Sequence, residues 1–199
     1  AIRRIPLTII KDQKTSETYL RENLDVLKAV AKSPYVVGSD FIGEEINDIS
    51  ELSPVINELV KYVVYNDNKF TIRIHAGEND SLRDNIFKSI QCVKEAVPEK
   101  KNIPKIRIGH GLYTPDLDSK KGKILMEEIK SSGAVLEFQM TSNVRLNNLN
   151  EISRYPLKKY LDYGIKCVQG TDGCGFYGVD TIEEQLALCN LLGLKEQDL

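Results

Sequence analysis

The sequence predicts an α/β fold built as part of a (β/α)8 barrel, and three observations carry that expectation. Short runs rich in β-branched and aromatic residues alternate with longer helical patterns along the whole chain. The units recur at about 30 to 35 residues, which is the rhythm of βαβ crossovers rather than of a solenoid. The chain's two histidines both fall at the ends of strand-like runs, where a barrel collects its chemistry. Such windows make up about an eighth of a βα chain, so chance would place both there about 1 to 2% of the time. An open doubly wound sheet would instead favour a glycine-rich phosphate loop after the first strand, and Lys11-Asp12-Gln13-Lys14 is no such loop.

Taken in order, the strand-like runs are Ile5 to Ile10, Tyr35 to Gly38, Phe70 to Ile74, Ile106 to Ile108, Val135 to Phe138 and Lys166 to Gln169. Between them Thr15-Ser16-Glu17 opens a helix from Tyr19 to Ala31, with Leu20, Leu24, Leu27 and Val30 at helical spacing. Ser53-Pro54 pairs a cap with proline at the first helical position and leads into Val55, Leu59, Val60 and Val63. Asp80 or Ser81 caps a helix through Ile86, Ile90 and Val93 that must stop before Pro98. The stretch from Leu117 to Ser131 offers Ile124, Leu125 and Ile129 and ends near Ser132-Gly133. Helices over 152–163 and 181–192 complete six βα units, the last opened by Thr181-Ile182-Glu183-Glu184, which reads as a capping box.

The 199 residues suit one domain with one core. A net charge of -2 and the lack of basic runs leave no electrostatic footprint for nucleic acid or an anionic membrane. No apolar run approaches the roughly 18 to 20 residues of a membrane span, and Ala1-Ile2-Arg3-Arg4 does not open a signal peptide. Cys92, Cys167, Cys174 and Cys189 are too widely spaced for a zinc or redox motif. They read as free, mostly buried thiols of a cytoplasmic protein.

The chemistry centres on Arg73-Ile74-His75-Ala76-Gly77-Glu78, a strand ending in a histidine with a carboxylate one turn on. Neutral imidazole suits zinc, so His75 is a candidate ligand. Glu78 is placed to give a proton to a ring nitrogen or leaving group, or to cap the next helix. His110 lies between Gly109 and Gly111, whose freedom lets the chain turn and present the imidazole as a general base toward metal-bound water. Asp172, in Gly170-Thr171-Asp172-Gly173, is suited to ligating a metal or orienting the attacking water, although aspartate before glycine is also ordinary turn chemistry. Asn143, within Thr141-Ser142-Asn143, suits a turn cap as well as a pocket wall, and Tyr155 to Tyr160 suits helix packing.

These residues together resemble the adenosine/AMP deaminase family of metal-dependent hydrolases. The resemblance rests on His75-Ala76-Gly77-Glu78, Gly109-His110-Gly111, Thr141-Ser142-Asn143, Thr171-Asp172 and Val37-Gly38-Ser39-Asp40-Phe41-Ile42-Gly43-Glu44, in the family's order. It implies that His75 and Asp172 are zinc ligands, with one zinc per complete enzyme. It further implies that Glu78 protonates the purine ring nitrogen, that His110 acts as base, and that Gly43 and Asp40 belong to the substrate site. The implied reaction is hydrolytic deamination of an aminopurine nucleoside or related aminated heterocycle.

Against the family pattern, the chain has no His-x-His, and its six strands correspond to strands 3–8 of the family barrel. Residues 1–199 are therefore expected to form a single, incomplete barrel domain that lacks the first two βα units and the C-terminal end. The chain is expected to be inactive alone and to need the missing units or another chain for closure. Gly173 stands where the family usually has a second aspartate that contacts the purine, which opens the choice of substrate beyond adenosine. Two other readings are a non-catalytic barrel segment and a different amidohydrolase-type hydrolase.

Overall fold

The computed structural model describes residues 2–3, 13–43, 45–66, 69–99, 101–146 and 149–195. Six strands form one parallel sheet: β1 (Ile2–Arg3), β2 (Gly38–Ile42), β3 (Thr71–Ala76), β4 (Lys105–His110), β5 (Val135–Phe138) and β6 (Cys167–Gln169). Their spatial order is their sequence order, β1-β2-β3-β4-β5-β6. A doubly wound sheet reverses direction at a switch point, and no reversal occurs here. Parallel strands added one after another, each through a helical crossover, are the construction of a (β/α)8 barrel, of which this is a part. The expected strand Ile5–Ile10 and most of the C-terminal stretch Lys195–Leu199 lie outside the described residues.

The connecting helices are α1 (Gln13–Val30), α2 (Ser53–Asn66), α3 (Asn85–Ala96) and α4 (Lys120–Ser132). After β5 come the short helices α5 (Met140–Arg145), α6 (Leu157–Asp162) and α7 (Cys174–Tyr177), and then α8 (Thr181–Leu192). No described helix is long and apolar enough to cross a membrane. The core lies between helices and sheet. Leu24, Leu59, Val60, Ile86, Ile90 and Ile129 meet Phe41, Ile72, Ile74, Ile108, Leu136 and Phe138 there, all of them buried. Tyr155 and Tyr160 pack on Phe138 with ring centroids 5.5 and 5.9 Å away, as the sequence led one to expect.

Several boundaries move for physical reasons. The second strand runs over Gly38–Ile42 rather than Tyr35–Gly38, leaving Tyr35 and Val37 92% and 70% exposed. Its alternation of Asp40 with Phe41 hides it from a search for apolar runs, because one face of a barrel strand points to a polar interior. Helix α1 starts at Gln13, so Thr15-Ser16-Glu17 lie inside it. Asp80–Leu82 form a 3₁₀ turn capped by Asn79, with α3 following from Asn85. The helix expected over 152–163 is split at Pro156 into a 3₁₀ turn (Ile152–Arg154) and α6. Ile124 is 51% exposed, and Met126 is buried on the inner face of α4 instead. The capping box of α8 is Asp180 with Glu183, one residue earlier than the sequence suggested. Of the cysteines, Cys92 is buried and Cys174 is exposed, so burial is not general among the thiols.

Candidate active site

Strand alternation puts Asp40, Arg73, Arg107 and Glu137 on the sheet face that turns away from the helices, with His75 two residues beyond Arg73. Arg73 is the hub of this layer. Its Nη1 donates to Asp40 Oδ2 and to His75 Nε2, both at 2.5 Å, while Nε donates to Glu137 Oε2 at 2.8 Å. Glu137 also accepts from Arg107. A guanidinium only donates, so His75 Nε2 is the acceptor in that contact. Burial acts to raise the Asp40 carboxyl, but its contacts with His75 and Arg73 outweigh it and hold the carboxyl below its usual range. Gly109 pairs with His75 in register. A Cβ there would sit 3.1 Å from His75 Cδ2 and 3.4 Å from Arg73 Nη2. Gly109 therefore clears room for these two side chains instead of making the turn.

The turn itself is made by His110 and Gly111, with φ of 74° and 62°. Asp172 has φ of 55°, and it and His110 are the non-glycine residues of positive φ among those described. Strained backbone of this kind persists where neighbours over-determine it. At His110 the neighbours are identifiable: the main-chain N–H donates to Gln139 Oε1 at 3.2 Å, and Nδ1 meets Asn143 Oδ1 at 2.9 Å. An amide oxygen only accepts, so Nδ1 is the donor in this contact. The other ring nitrogen, Nε2, faces Glu78, whose Oε1 is 3.6 Å away. Ser142 Oγ donates to Asp172 Oδ2 at 2.7 Å. Ser142 and Asn143 thus support the strained pair from α5, which is itself anchored where Glu184, fully buried on α8, accepts the Thr141 N–H at 3.1 Å.

These strand ends open onto a cavity of about 640 Å³ whose walls include Gly43, His75, Glu78, His110 and Asp172. Five of the six residues singled out in the sequence are therefore brought together. The sixth, Asp40, lies in the middle of β2 rather than at its end, and it faces His75 and Arg73 instead of lining the cavity. The His75 and His110 rings meet edge to face with centroids 5.1 Å apart.

The donor chemistry suits a divalent cation. His75 Nε2 already meets Arg73 Nη1, so a cation taking that nitrogen would have to displace the guanidinium. Ligand atoms of His75, Glu78 and His110 all lie within 4.8 Å of one another. Two histidines and a glutamate form a donor set that zinc accepts, although bonds of about 2.0–2.2 Å would draw these atoms closer together. Asp172 lines the same cavity but stands outside that close group. Arg73, Glu137, Gln139 and Glu45 were not singled out in the sequence. A visible signal existed for two of them, since Arg73 and Glu137 are charges set inside strand-like runs.

A family model described as adenosine deaminase matches residues 4–199. An adenosine deaminase of Clostridium acetobutylicum is 29% identical over 163 residues, which is 81% of this chain and 42% of that protein. One from Plasmodium gallinaceum is 29% identical over 182 residues, covering 90% of this chain and 44% of its own. Among solved structures, an N6-methyl-AMP deaminase from Arabidopsis thaliana aligns with a TM-score of 0.65 at 20% identity, over 90% of this chain and 47% of that one. An adenine deaminase from Arthrobacter aurescens aligns with a TM-score of 0.67 at 17% identity, over 90% and 49%. At those identities the structural likeness is one of fold. This chain spans less than half the length of each of these four relatives.

Proposed function

The chain belongs to the adenosine deaminase family, and from that premise we propose that it carries most of the catalytic end of a zinc-dependent hydrolytic deaminase. The observation that supports this best is the convergence of His75, Glu78 and His110 within 4.8 Å in a cavity shared with Gly43 and Asp172. The substrate is an aminated heterocycle of the aminopurine class. The names of the relatives range over adenosine, adenine and N6-methyl-AMP, and Gly173 removes one carboxylate by which the family would choose among such rings.

The proposed roles are those the family resemblance implies, and the geometry is compatible with them. Glu78 donates a proton to the ring nitrogen beside the carbon that is attacked, which makes that carbon electrophilic. His110 takes a proton from the attacking water through Nε2, the ring nitrogen not engaged by Asn143. Asp172, held by Ser142, and His75 are the residues that would hold zinc. Zinc, when bound, supplies acidified water near neutral pH. Gly43, with φ of 114° and no side chain, lets the ring approach the main chain. Water attacks the carbon, the amino group leaves as ammonia, and a carbonyl remains in its place.

The barrel is closed in the functional protein by two further βα units, contributed by the same polypeptide or by a second chain. By itself the present chain is catalytically incompetent, because its two histidines cannot fill a zinc site while Arg73 occupies Nε2 of one of them. The test uses the intact protein. It should contain about one zinc per chain and release ammonia from at least one member of an aminopurine panel. Glu78→Gln should abolish turnover, a loss of about a thousandfold or more, with the zinc content unchanged. An unaltered rate would remove Glu78 from the mechanism, and absence of both metal and turnover would favour a non-catalytic barrel.

A further inference from the structure

We propose that Glu45 is a positioning residue, a buried anion around which the turn carrying Glu78 is built. Glu45 is 2% exposed and reaches the cavity wall two residues after Gly43. Its Oε1 accepts from the Gly77 N–H at 3.1 Å and from Asn85 Nδ2 at 2.8 Å. Its Oε2 accepts from the N–H groups of Glu78 at 2.6 Å and Asn79 at 2.8 Å. Three successive main-chain N–H groups wrapped around an anion make a nest, a concavity that elsewhere binds phosphate or a cluster. Here the anion is the protein's own. Gly77 supplies the positive φ of 78° that the nest requires.

The same contacts show what Glu45 does not do. A carboxylate has about four lone-pair sites, and the four donors just named occupy them. Glu45 therefore has no capacity left to move a proton or grip a substrate, although it lines the cavity. Its main-chain oxygen adds a second tie by accepting from Asn79 Nδ2 at 2.9 Å. Asn85, 1% exposed at the start of α3, extends the hold by donating to Asn47 O and accepting from the Ile49 N–H. The loops after β2 and β3 and the start of α3 are thus tied to one carboxylate, and Glu78 is the side chain whose aim depends on them.

The effect on turnover rests on the reaction proposed above, whereas the hold on the turn does not. Glu45→Gln keeps the shape but replaces one oxygen with an NH₂ group. Whichever way that amide is oriented, two of the four donors then face another donor and are left unsatisfied in a buried place. In the intact protein, Glu45→Gln should speed hydrogen exchange selectively at the amides of Gly77, Glu78 and Asn79, with β4 and β5 unchanged. It should also lower kcat by about 100-fold, the scale of a displacement of about 1 Å, with KM within about threefold and full zinc content. Glu45→Asp keeps the charge but withdraws it by one methylene, and should fall between Gln and wild type on both readouts. If the Gln variant does not fold, the Asp variant carries the test by the same criteria. Unchanged exchange at residues 77–79, exchange raised everywhere alike, or a kcat within twofold of wild type would each overturn the proposal. A wild type without deaminase turnover would overturn the proposed reaction alone, and the exchange measurement would then decide the role of Glu45.

Discussion

At the scale of single residues, the site depends on what stands beside the reactive groups. The sequence made His75, Glu78, His110 and Asp172 legible because their residue types are rare or reactive and they fall at strand ends. It did not reveal that Gly109 is a space-making residue, because nothing in Gly109-His110-Gly111 says which glycine turns and which clears room. The distinction is testable. A methyl group at position 109 would press on a His75 ring that Arg73 and Asp40 prevent from moving aside. Gly109→Ala should therefore cost about 1–3 kcal/mol of stability, as overpacking does, and, if the proposed zinc site holds, should weaken zinc retention by the intact protein about tenfold in a chelator competition. A variant as stable and as metal-retentive as wild type would show that the ring has slack.

At the scale of elements, the helices were legible from their apolar spacing, while the inner strands were obscured by the charges they carry. Asp40, Arg73, Arg107 and Glu137 balance one another across β2 to β5, and such compensation is invisible until the strands are side by side. A second charge-based tie joins elements on the outside. Asp48 caps the 3₁₀ turn Ile49–Leu52 by accepting from the Ser50 N–H at 3.0 Å, and it also pairs with Lys88 of α3. Burial pushes the Asp48 carboxyl up, but its bonds to Lys88 and Ser50 outweigh that and hold it below the usual carboxylate range. A carboxyl lowered in the folded state stabilises the fold at pH values above its unfolded pKa, and the contribution is lost as pH falls through the folded value. Asp48→Asn should then cost about 1 kcal/mol at neutral pH, since the pair is partly exposed, and the difference from wild type should shrink as the pH falls into the acid range. Denaturant melts at pH 7 and pH 3 measure it, and an equal cost at both would exclude the charge as the cause.

At the scale of the whole molecule, exposed apolar surface collects on the flanks. Val26 of α1 and Ile182, Leu186 and Leu191 of α8 are 53–67% exposed, and Phe176 of α7 is 95% exposed. Helices α1 and α8 adjoin β1 and β6, the strands at the two ends of the sheet, and α7 packs beside α5. The sequence led to the expectation of six units of an eight-unit design, but which faces further units would cover was legible only once the helices were placed. If closing units lie against α8 in the intact protein, Leu186→Glu should destabilise it by about 2 kcal/mol or more. On a solvated face the same change should stay within about 0.5 kcal/mol, so a thermal melt distinguishes the two. The sequential strand order has a consequence for how the protein is made. Each strand pairs with the one synthesised just before it, so the sheet can lengthen at its growing end as the chain leaves the ribosome. At about 5–20 residues per second, a new unit arrives every few seconds. Gly43 emerges first, then His75 with Glu78, then His110 and last Asp172. Until Asp172 arrives, the nascent chain has most of this sheet in place while the proposed site is still unfinished.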